Sequence, residues 1–263
     1  MGQIWRIEAV IPLLATSEEL GIGGNLVFGI NLALVAGGTF FLFRQRKGGT
    51  ACSPFMVQLW KTNAIEAGFL TMCLLVGFFG PLNLGFLPIL VAFVSIWFFR
   101  RDRHPNLLEV SNMNWLALTL DASARLLKIW PALFIVSFVA SQFLVGHPKQ
   151  ESIRKLAEYQ SLNEVLGIVG YAVIVAPLLE EFLFRGILYR TMKRPFGMGL
   201  AIGFTSLLFA LVHKNLLSFF PLVLLGGFLA MAYERTGDLR TCILMHALFN
   251  FIMVLFVLLR HAL

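Results

Sequence analysis

This sequence has little charge and no paired cysteines. Only 13% of its 263 residues are charged, against about 25% in soluble domains. The three cysteines, Cys52, Cys73 and Cys242, form no Cys-x-x-Cys pair, so neither a thiolate zinc site nor a disulfide framework is indicated. The His-Glu-x-x-His zinc-protease signature is absent as well. These absences argue against a soluble domain, a disulfide scaffold and the common zinc motifs.

The basic residues do not indicate a nucleic-acid partner, although the net charge is +7. They stand in short clusters between apolar runs, which is the positive-inside pattern of membrane proteins. No separate basic face or tail is visible, so we exclude nucleic acid as a partner. The lipid bilayer is the partner that this charge pattern indicates.

Long apolar runs are what the sequence has in abundance. It is 58% hydrophobic with 26 phenylalanines, and a spanning helix needs about 20 mostly apolar residues. We therefore predict an all-α, polytopic transmembrane helix bundle of about eight spans, integral and multi-pass, in the plasma membrane if the organism is prokaryotic. The predicted spans are Leu26–Phe43, Ile65–Phe79, Phe86–Phe99, Ile129–Val145, Leu166–Tyr189, Met198–His213, Phe219–Tyr233 and Thr241–Leu259.

The segments between these spans give further expectations. Trp115–Lys128 mixes apolar and charged residues, which predicts an interfacial helix. His147–Asn163 is polar and amphipathic, and Glu234–Asp238 reads as a turn. The first 20 residues lack a basic start and a cleavage site, so we expect the N-terminus to be retained. Fourteen basic residues fall on one side of the eight spans and six on the other, which predicts both termini outside.

Glu180, Glu181 and Arg185 place three charges inside an apolar run. A charge at mid-bilayer costs about 2.5–3.5 kcal/mol on insertion scales, so such residues usually face an interior and act there. Positions i and i+4 share a helix face, so Glu181 and Arg185 are predicted to form a structural ion pair. Glu180 points away from that pair and is the predicted working group. Pro177 removes an amide donor just before it and can bend the helix.

Two later helices each carry a pair of buried-type groups four residues apart. These are Phe209 with His213, and His246 with Asn250. A carboxylate and an imidazole can activate a water for peptide hydrolysis, while a second imidazole and an amide can stabilise an oxyanion. Alternatively, the carboxylate and imidazoles can hold a divalent metal that activates the water. Taken singly, each group also fits a structural role as an ion-pair brace, an interfacial histidine or an interhelical hydrogen bond.

The three patterns together resemble the CPBP intramembrane proteases, also called the Abi family. Glu-Glu-x-x-x-Arg, Phe-x-x-x-His and His-x-x-x-Asn occur here in that order. The resemblance covers 166–259 as a protease core, and leaves 1–165 as N-terminal transmembrane helices of variable type. It implies an endopeptidase acting on a peptide or a prenylated protein, like the CAAX prenyl endopeptidases.

The resemblance also implies roles for individual residues. Glu180 and His213 would activate water, while His246 and Asn250 would bind the oxyanion or help hold a metal. Glu181 and Arg185 would brace the site together with Phe209. The cofactor stays open between a divalent metal such as zinc and none.

The predicted spans leave one mismatch and two competing functions. His213 lies about 15 residues into its span and His246 about 5 into its own, which at about 1.5 Å per residue are different depths. Helix tilt, a sixth helix running past Lys214 or a break at Pro221 would correct this. A proton-coupled transporter also uses intramembrane Glu, Arg and His, and a non-catalytic membrane scaffold or immunity protein would keep the fold without the reaction.

Overall fold

The computed structural model describes residues 22–45, 63–82, 84–100, 113–144 and 161–262. Within these ranges every regular element is helical, so the all-α prediction is confirmed. The predictions for the N-terminal 20 residues and for most of 147–163 lie outside the described ranges. The helices, with the labels used below, are α1 (Ile22–Gln45), α2 (Ala64–Phe79), α3 (Leu87–Arg100), α4 (Trp115–Phe143), α5 (Leu162–Gly170), π1 (Tyr171–Val175), α6 (Ala176–Glu181), π2 (Phe182–Tyr189), α7 (Arg190–Val212), α8 (Leu216–Thr236) and α9 (Leu239–Ala262).

The described helices are those of an integral, multi-pass membrane protein. Four stretches have the length and apolar composition to cross a membrane, and three shorter apolar helices accompany them. The four are Trp115–Phe143, Leu162–Val212, Leu216–Thr236 and Leu239–Leu259. The second runs for 51 residues, more than twice the length of one span. Gly197 interrupts it with a non-helical backbone (φ 77°, ψ 167°), next to the predicted sixth span; the total of eight stays a prediction.

Helix α4 corrects one predicted boundary. An interfacial helix ending at Lys128 and a separate span from Ile129 are wrong, because one 29-residue helix covers both. The charges do not break it, since Asp121 and Arg125 pair at 2.6 Å one turn apart on the same helix. Its buried face continues through the boundary, and the residues on that face are Leu118, Ala122, Leu126, Ile129, Trp130 and Leu133.

Pro131 shapes the contact between α4 and α1. A proline lacks the N–H that would bond the carbonyl four residues earlier, which here is that of Leu127. That carbonyl lies against Gly38 of α1, where an added Cβ would stand 2.1 Å from the oxygen and 2.7 Å from the Pro131 Cδ. Gly38 therefore lets the two backbones approach closely at the proline.

We expect Gly38→Ala to destabilise the protein by about 1–3 kcal/mol, because a methyl group overpacks this contact. Thermal unfolding in detergent measures it. Gly29→Ala, on the same helix with nothing within 4 Å of an added Cβ, is the matched control. It should stabilise by about 0.5–1 kcal/mol, since alanine is the better helix former. Equal effects at both positions would contradict the close packing of α1 on α4.

The end of α8 corrects the predicted turn at 234–238. Glu234 is still helical and buried, and its carboxylate accepts a hydrogen bond from the Tyr189 hydroxyl and pairs with Lys193 at 2.6 Å. The helix ends only at Gly237, which has a positive φ of 67°, the conformation glycine adopts most readily at a C-terminus. Pairing of the carboxylate with two donors lets the chain bury Glu234 instead of exposing it in a turn.

The junction of α7 and α8 corrects two of the suggested remedies for the depth mismatch. Helix α7 ends at Val212 with His213 as its cap, so it does not run past Lys214. Asn215 caps the next helix through a 2.9 Å bond to the Ser218 N–H, and α8 then continues through Pro221 without a break. Helix tilt, the third remedy, stays a prediction.

A line of aromatic rings leads to the centre of the bundle. Phe86 packs edge-on against Phe184 at 6.3 Å between centroids, and Phe184 packs against Phe209 at 5.2 Å. Phe184 and Phe209 are fully buried. The ring of Phe209 then contacts the predicted site residues, so the site lies at the end of the apolar core.

Candidate active site

The predicted ion pair between Glu181 and Arg185 is present. Arg185 Nη1 donates to Glu181 Oε1 at 2.7 Å, and the two side chains are 1% and 0% exposed. The other guanidinium nitrogen, Nη2, donates to the Gly226 carbonyl at 2.9 Å. Arginine serves both partners because its planar fork presents several donors at once. The bond from Arg185 to Gly226 thus joins π2 to α8.

Gly226 was not found from the sequence. A Cβ there would lie 3.1 Å from the Ser206 Cα, so a glycine allows α8 to approach α7. The Gly226–Gly227 pair in an apolar helix is a signal of close helix packing in membranes. That signal predicts that two helices approach closely, but not which side chain donates a hydrogen bond to the Gly226 carbonyl.

Glu181 also holds His246, which the sequence did not reveal. His246 Nδ1 lies 2.9 Å from Glu181 Oε1, the oxygen that Arg185 also contacts. His246 is 3% exposed in its side chain, and its ring packs edge-on against Phe209 at 5.6 Å. Glu181 therefore orients an imidazole in addition to bracing the helix.

Glu180 faces His213, as expected for a residue directed away from the Glu181–Arg185 pair. Glu180 Oε2 and His213 Nε2 are 3.7 Å apart, and both side chains are 13% exposed. That oxygen is buried and has no hydrogen-bond partner. The distance is too long for a direct hydrogen bond, so the carboxylate and the imidazole face each other without bonding directly.

Phe209 connects the two carboxylate–imidazole pairs. Its ring lies 4.9 Å from the His213 ring as well as against His246, and the Arg185 guanidinium stands 4.8 Å from its centroid. The predicted pairing of Phe209 with His213 on one helix face is thus present. The structure brings Glu180, Glu181, Arg185, Phe209, His213 and His246 into one contiguous group.

Hydrogen bonding fixes which nitrogen of each histidine is available. His213 Nδ1 lies 2.6 Å from the Phe209 carbonyl oxygen, which only accepts, so Nδ1 carries the hydrogen. The same holds for His246, whose Nδ1 faces the Glu181 carboxylate. In a neutral ring the other nitrogen, Nε2, is then an acceptor. In both imidazoles the basic nitrogen is therefore Nε2, on the side of the ring away from the group that Nδ1 contacts.

Asn250 makes its hydrogen bond outside this group of residues. Its Nδ2 donates to the Ala172 carbonyl at 2.8 Å, in π1, two turns before the glutamates. Asn250 and His246 thus reach the same helical run from one face of α9, as their spacing predicts. The role at an oxyanion that the family resemblance implies for Asn250 stays a prediction.

A three-ligand metal centre does not fit these residues as they are arranged. Histidines that hold metals usually donate their other N–H to a carboxylate or a carbonyl, and His246 and His213 do so. Yet in the part of the chain that the structure describes, no three His, Cys, Asp or Glu side chains lie close enough together to share a metal ion.

Comparison with known proteins finds a family match over the part of the chain that contains these residues. The sequence model of the family described as type II CAAX prenyl endopeptidase Rce1-like matches residues 162–252. That range holds all three motifs. The resemblance to the CPBP proteases is thus confirmed for this part of the chain, where a multi-pass membrane protein is similar to the Rce1-like family.

Two curated proteins are similar to part of the chain. An uncharacterized 24.3 kDa protein of Escherichia coli is 34% identical over 113 residues, 40% of this chain and 52% of that protein. The membrane-embedded CAAX protease MroQ of Staphylococcus aureus strain USA300 is 31% identical over 132 residues, 48% of this chain and 52% of that protein. The chain thus matches about half the length of each relative. No solved structure matches it.

Proposed function

We propose that this protein is an intramembrane endopeptidase that hydrolyses a peptide bond of a membrane-associated substrate. The observation that carries the proposal is the facing pair of Glu180 and His213, 3.7 Å apart. A carboxylate oxygen without a hydrogen-bond partner, opposite a basic imidazole nitrogen, is the arrangement a nucleophilic water needs. The Rce1-like domain and the CAAX protease relative support the same class of reaction.

The proposed first step is activation of water between the two groups. The water donates one hydrogen to Glu180 Oε2 and the other to His213 Nε2, and its lone pair is then directed at the peptide carbonyl. Glu180 takes this proton as the C–O bond forms. When the tetrahedral intermediate collapses, the C–N bond breaks and Glu180 returns the proton to the leaving amine. A positioned base of this kind contributes about 10²- to 10⁴-fold in rate.

His246 is the proposed partner of the oxyanion. Its Nδ1 hydrogen is engaged by Glu181, so Nε2 donates to the oxyanion only when the ring is protonated. One oxyanion donor contributes about 10²- to 10³-fold.

The surface next to Glu180 suits a substrate that arrives from the membrane. Ile174, Leu178 and Leu179 are 66%, 52% and 43% exposed, and they precede Glu180 on the same helical run. A hydrophobic or prenylated peptide can approach along this apolar surface without leaving the bilayer. The proposed substrate class is therefore a lipid-associated peptide, with CAAX-type prenylated tails as the specific candidate.

The experiment is a cleavage assay with the purified protein in liposomes. Matched peptides with and without a prenyl group, each containing a fluorogenic scissile bond, report activity and its dependence on the lipid tail. A chelator arm tests for a metal. Wild-type protein that is folded but cleaves neither peptide class would contradict the proposal, and transport of solutes under the same conditions would favour a carrier instead.

We expect Glu180 and His213 to behave as one unit. His213→Ala should lower kcat/KM by about 10²-fold or more, and the double variant with Glu180→Gln should be no worse than the poorer single variant, because residues that act together are strongly non-additive. Steady-state kinetics on all four proteins measure this. If the loss of kcat/KM in the double variant equals the product of the two single losses, the two groups act independently.

A further inference from the structure

Asn250 is bonded to a carbonyl that the helix itself leaves without a donor. In π1 the backbone hydrogen bonds run from residue i to i−5, as the Ala176 N–H to the Tyr171 carbonyl shows. The next bond in that register would join the N–H of residue 177 to the Ala172 carbonyl. Residue 177 is proline, which has no N–H. Ala172 is thus the position where the ladder lacks a donor.

The Asn250 amide occupies the place of that donor. Its Nδ2 reaches the Ala172 oxygen at 2.8 Å. A backbone carbonyl inside a membrane has no bulk water to bond, and an unsatisfied one costs several kcal/mol. The contact therefore repairs the helix where Pro177 interrupts it.

The repair also ties the glutamates to α9. Pro177 is the second residue of the short α6 segment, which ends in Glu180 and Glu181. His246 contacts this segment at Glu181. Asn250, one turn further along α9, bonds to Ala172, which precedes Pro177. The two contacts hold α6 from both sides of the proline, and so set where Glu180 points.

We propose that Asn250 is a positioning residue, whose side-chain amide substitutes for the missing Pro177 N–H and holds the Glu180-bearing segment in register with α9. The effect on activity rests on the proposed protease function, whereas the effect on helix stability does not. The chemistry demands a donor at this position. Asparagine supplies one, while a carboxylate or an alkyl group does not.

The test is a double-mutant cycle that restores the backbone donor. Pro177→Ala provides an N–H for the Ala172 carbonyl, so Asn250 should become dispensable in that background. Four proteins are compared: wild type, Pro177→Ala, Asn250→Ala and the double variant. Each is measured for its unfolding midpoint in detergent without substrate, and for kcat and KM at a temperature where all four are folded.

We expect Asn250→Ala to lower the midpoint by about 2–4 °C, the shift for roughly 1 kcal/mol in a chain of this size, and to lower kcat about tenfold or more with little change in KM. In the Pro177→Ala background the same substitution should shift the midpoint by less than about 1 °C and kcat by less than about twofold. A loss of kcat that is equally large in both backgrounds, with no coupling of the midpoints, would overturn the proposal and place Asn250 at the reacting atoms.

Asn250→Asp keeps the test decisive if Pro177→Ala does not fold. It preserves size and one oxygen. Measured at a pH where its carboxyl is ionised, it replaces the Nδ2 donor with a second acceptor facing the carbonyl. Its midpoint should fall at least as far as that of Asn250→Ala, and a wild-type midpoint would overturn the proposal. Because midpoints need no substrate, a protein that cleaves nothing still tests the helix repair, and the two ideas fail separately.

Discussion

Glu180→Gln should abolish most peptide cleavage while leaving the fold intact. The amide has the shape of the carboxylate but takes no proton from water, so kcat/KM should fall by about 10²- to 10⁴-fold. The unfolding midpoint should change little, because the buried Oε2 of Glu180 has no hydrogen-bond partner to lose. Steady-state cleavage and thermal unfolding of the same preparation measure the two effects.

Glu164→Gln is the matched control for this substitution. Glu164 is an exposed glutamate in the first turn of α5, on the same helical run as Glu180. It should keep cleavage within about twofold of wild type, since an exposed first-turn carboxylate contributes only a few tenths of a kcal/mol to its helix. Wild-type turnover by Glu180→Gln would refute the assignment of the base, whatever the control does.

Arg185→Ala should be the most destabilising single substitution considered. It leaves the carboxylate of Glu181, which is 0% exposed, without its guanidinium, and it removes the donor to the Gly226 carbonyl. Breaking a buried pair in this way costs about 3–5 kcal/mol. Arg185→Lys should recover part of that loss, because one ammonium does not serve both partners in the geometry of the fork. Chemical or thermal unfolding in detergent gives the values.

The chain contains a matched pair for comparison. Asp121 and Arg125 have the same i, i+4 spacing and a 2.6 Å contact, but their side chains are 25–30% exposed. Arg125→Ala should cost only about 1 kcal/mol, close to the value for exposed pairs, because this pair is only partly buried. Similar losses at Arg125 and Arg185 would show that burial of the Glu181–Arg185 pair is not what makes it important.

Much of the site follows from spacing along the chain. The Glu181–Arg185 pair and the Phe209–His213 contact are both four residues apart, and helical geometry alone brings such residues together. The separate direction of Glu180 follows for the same reason. Local rules served less well at helix ends: the division of α4 at Lys128 and the turn at Glu234 were wrong because packing and ion pairing keep those charges within helices.

The sequence by itself determined that this is a helical membrane protein, that Glu180, Glu181 and Arg185 lie within one apolar run, and that two imidazoles lie on later helices. Periodicity and apolar composition are properties of each segment alone, so they can be read without coordinates. Only the tertiary structure decided that His246 bonds Glu181, that Glu180 faces His213, and that Asn250 reaches Ala172. Those contacts join segments far apart in the chain, and the way the helices pack selects the partners.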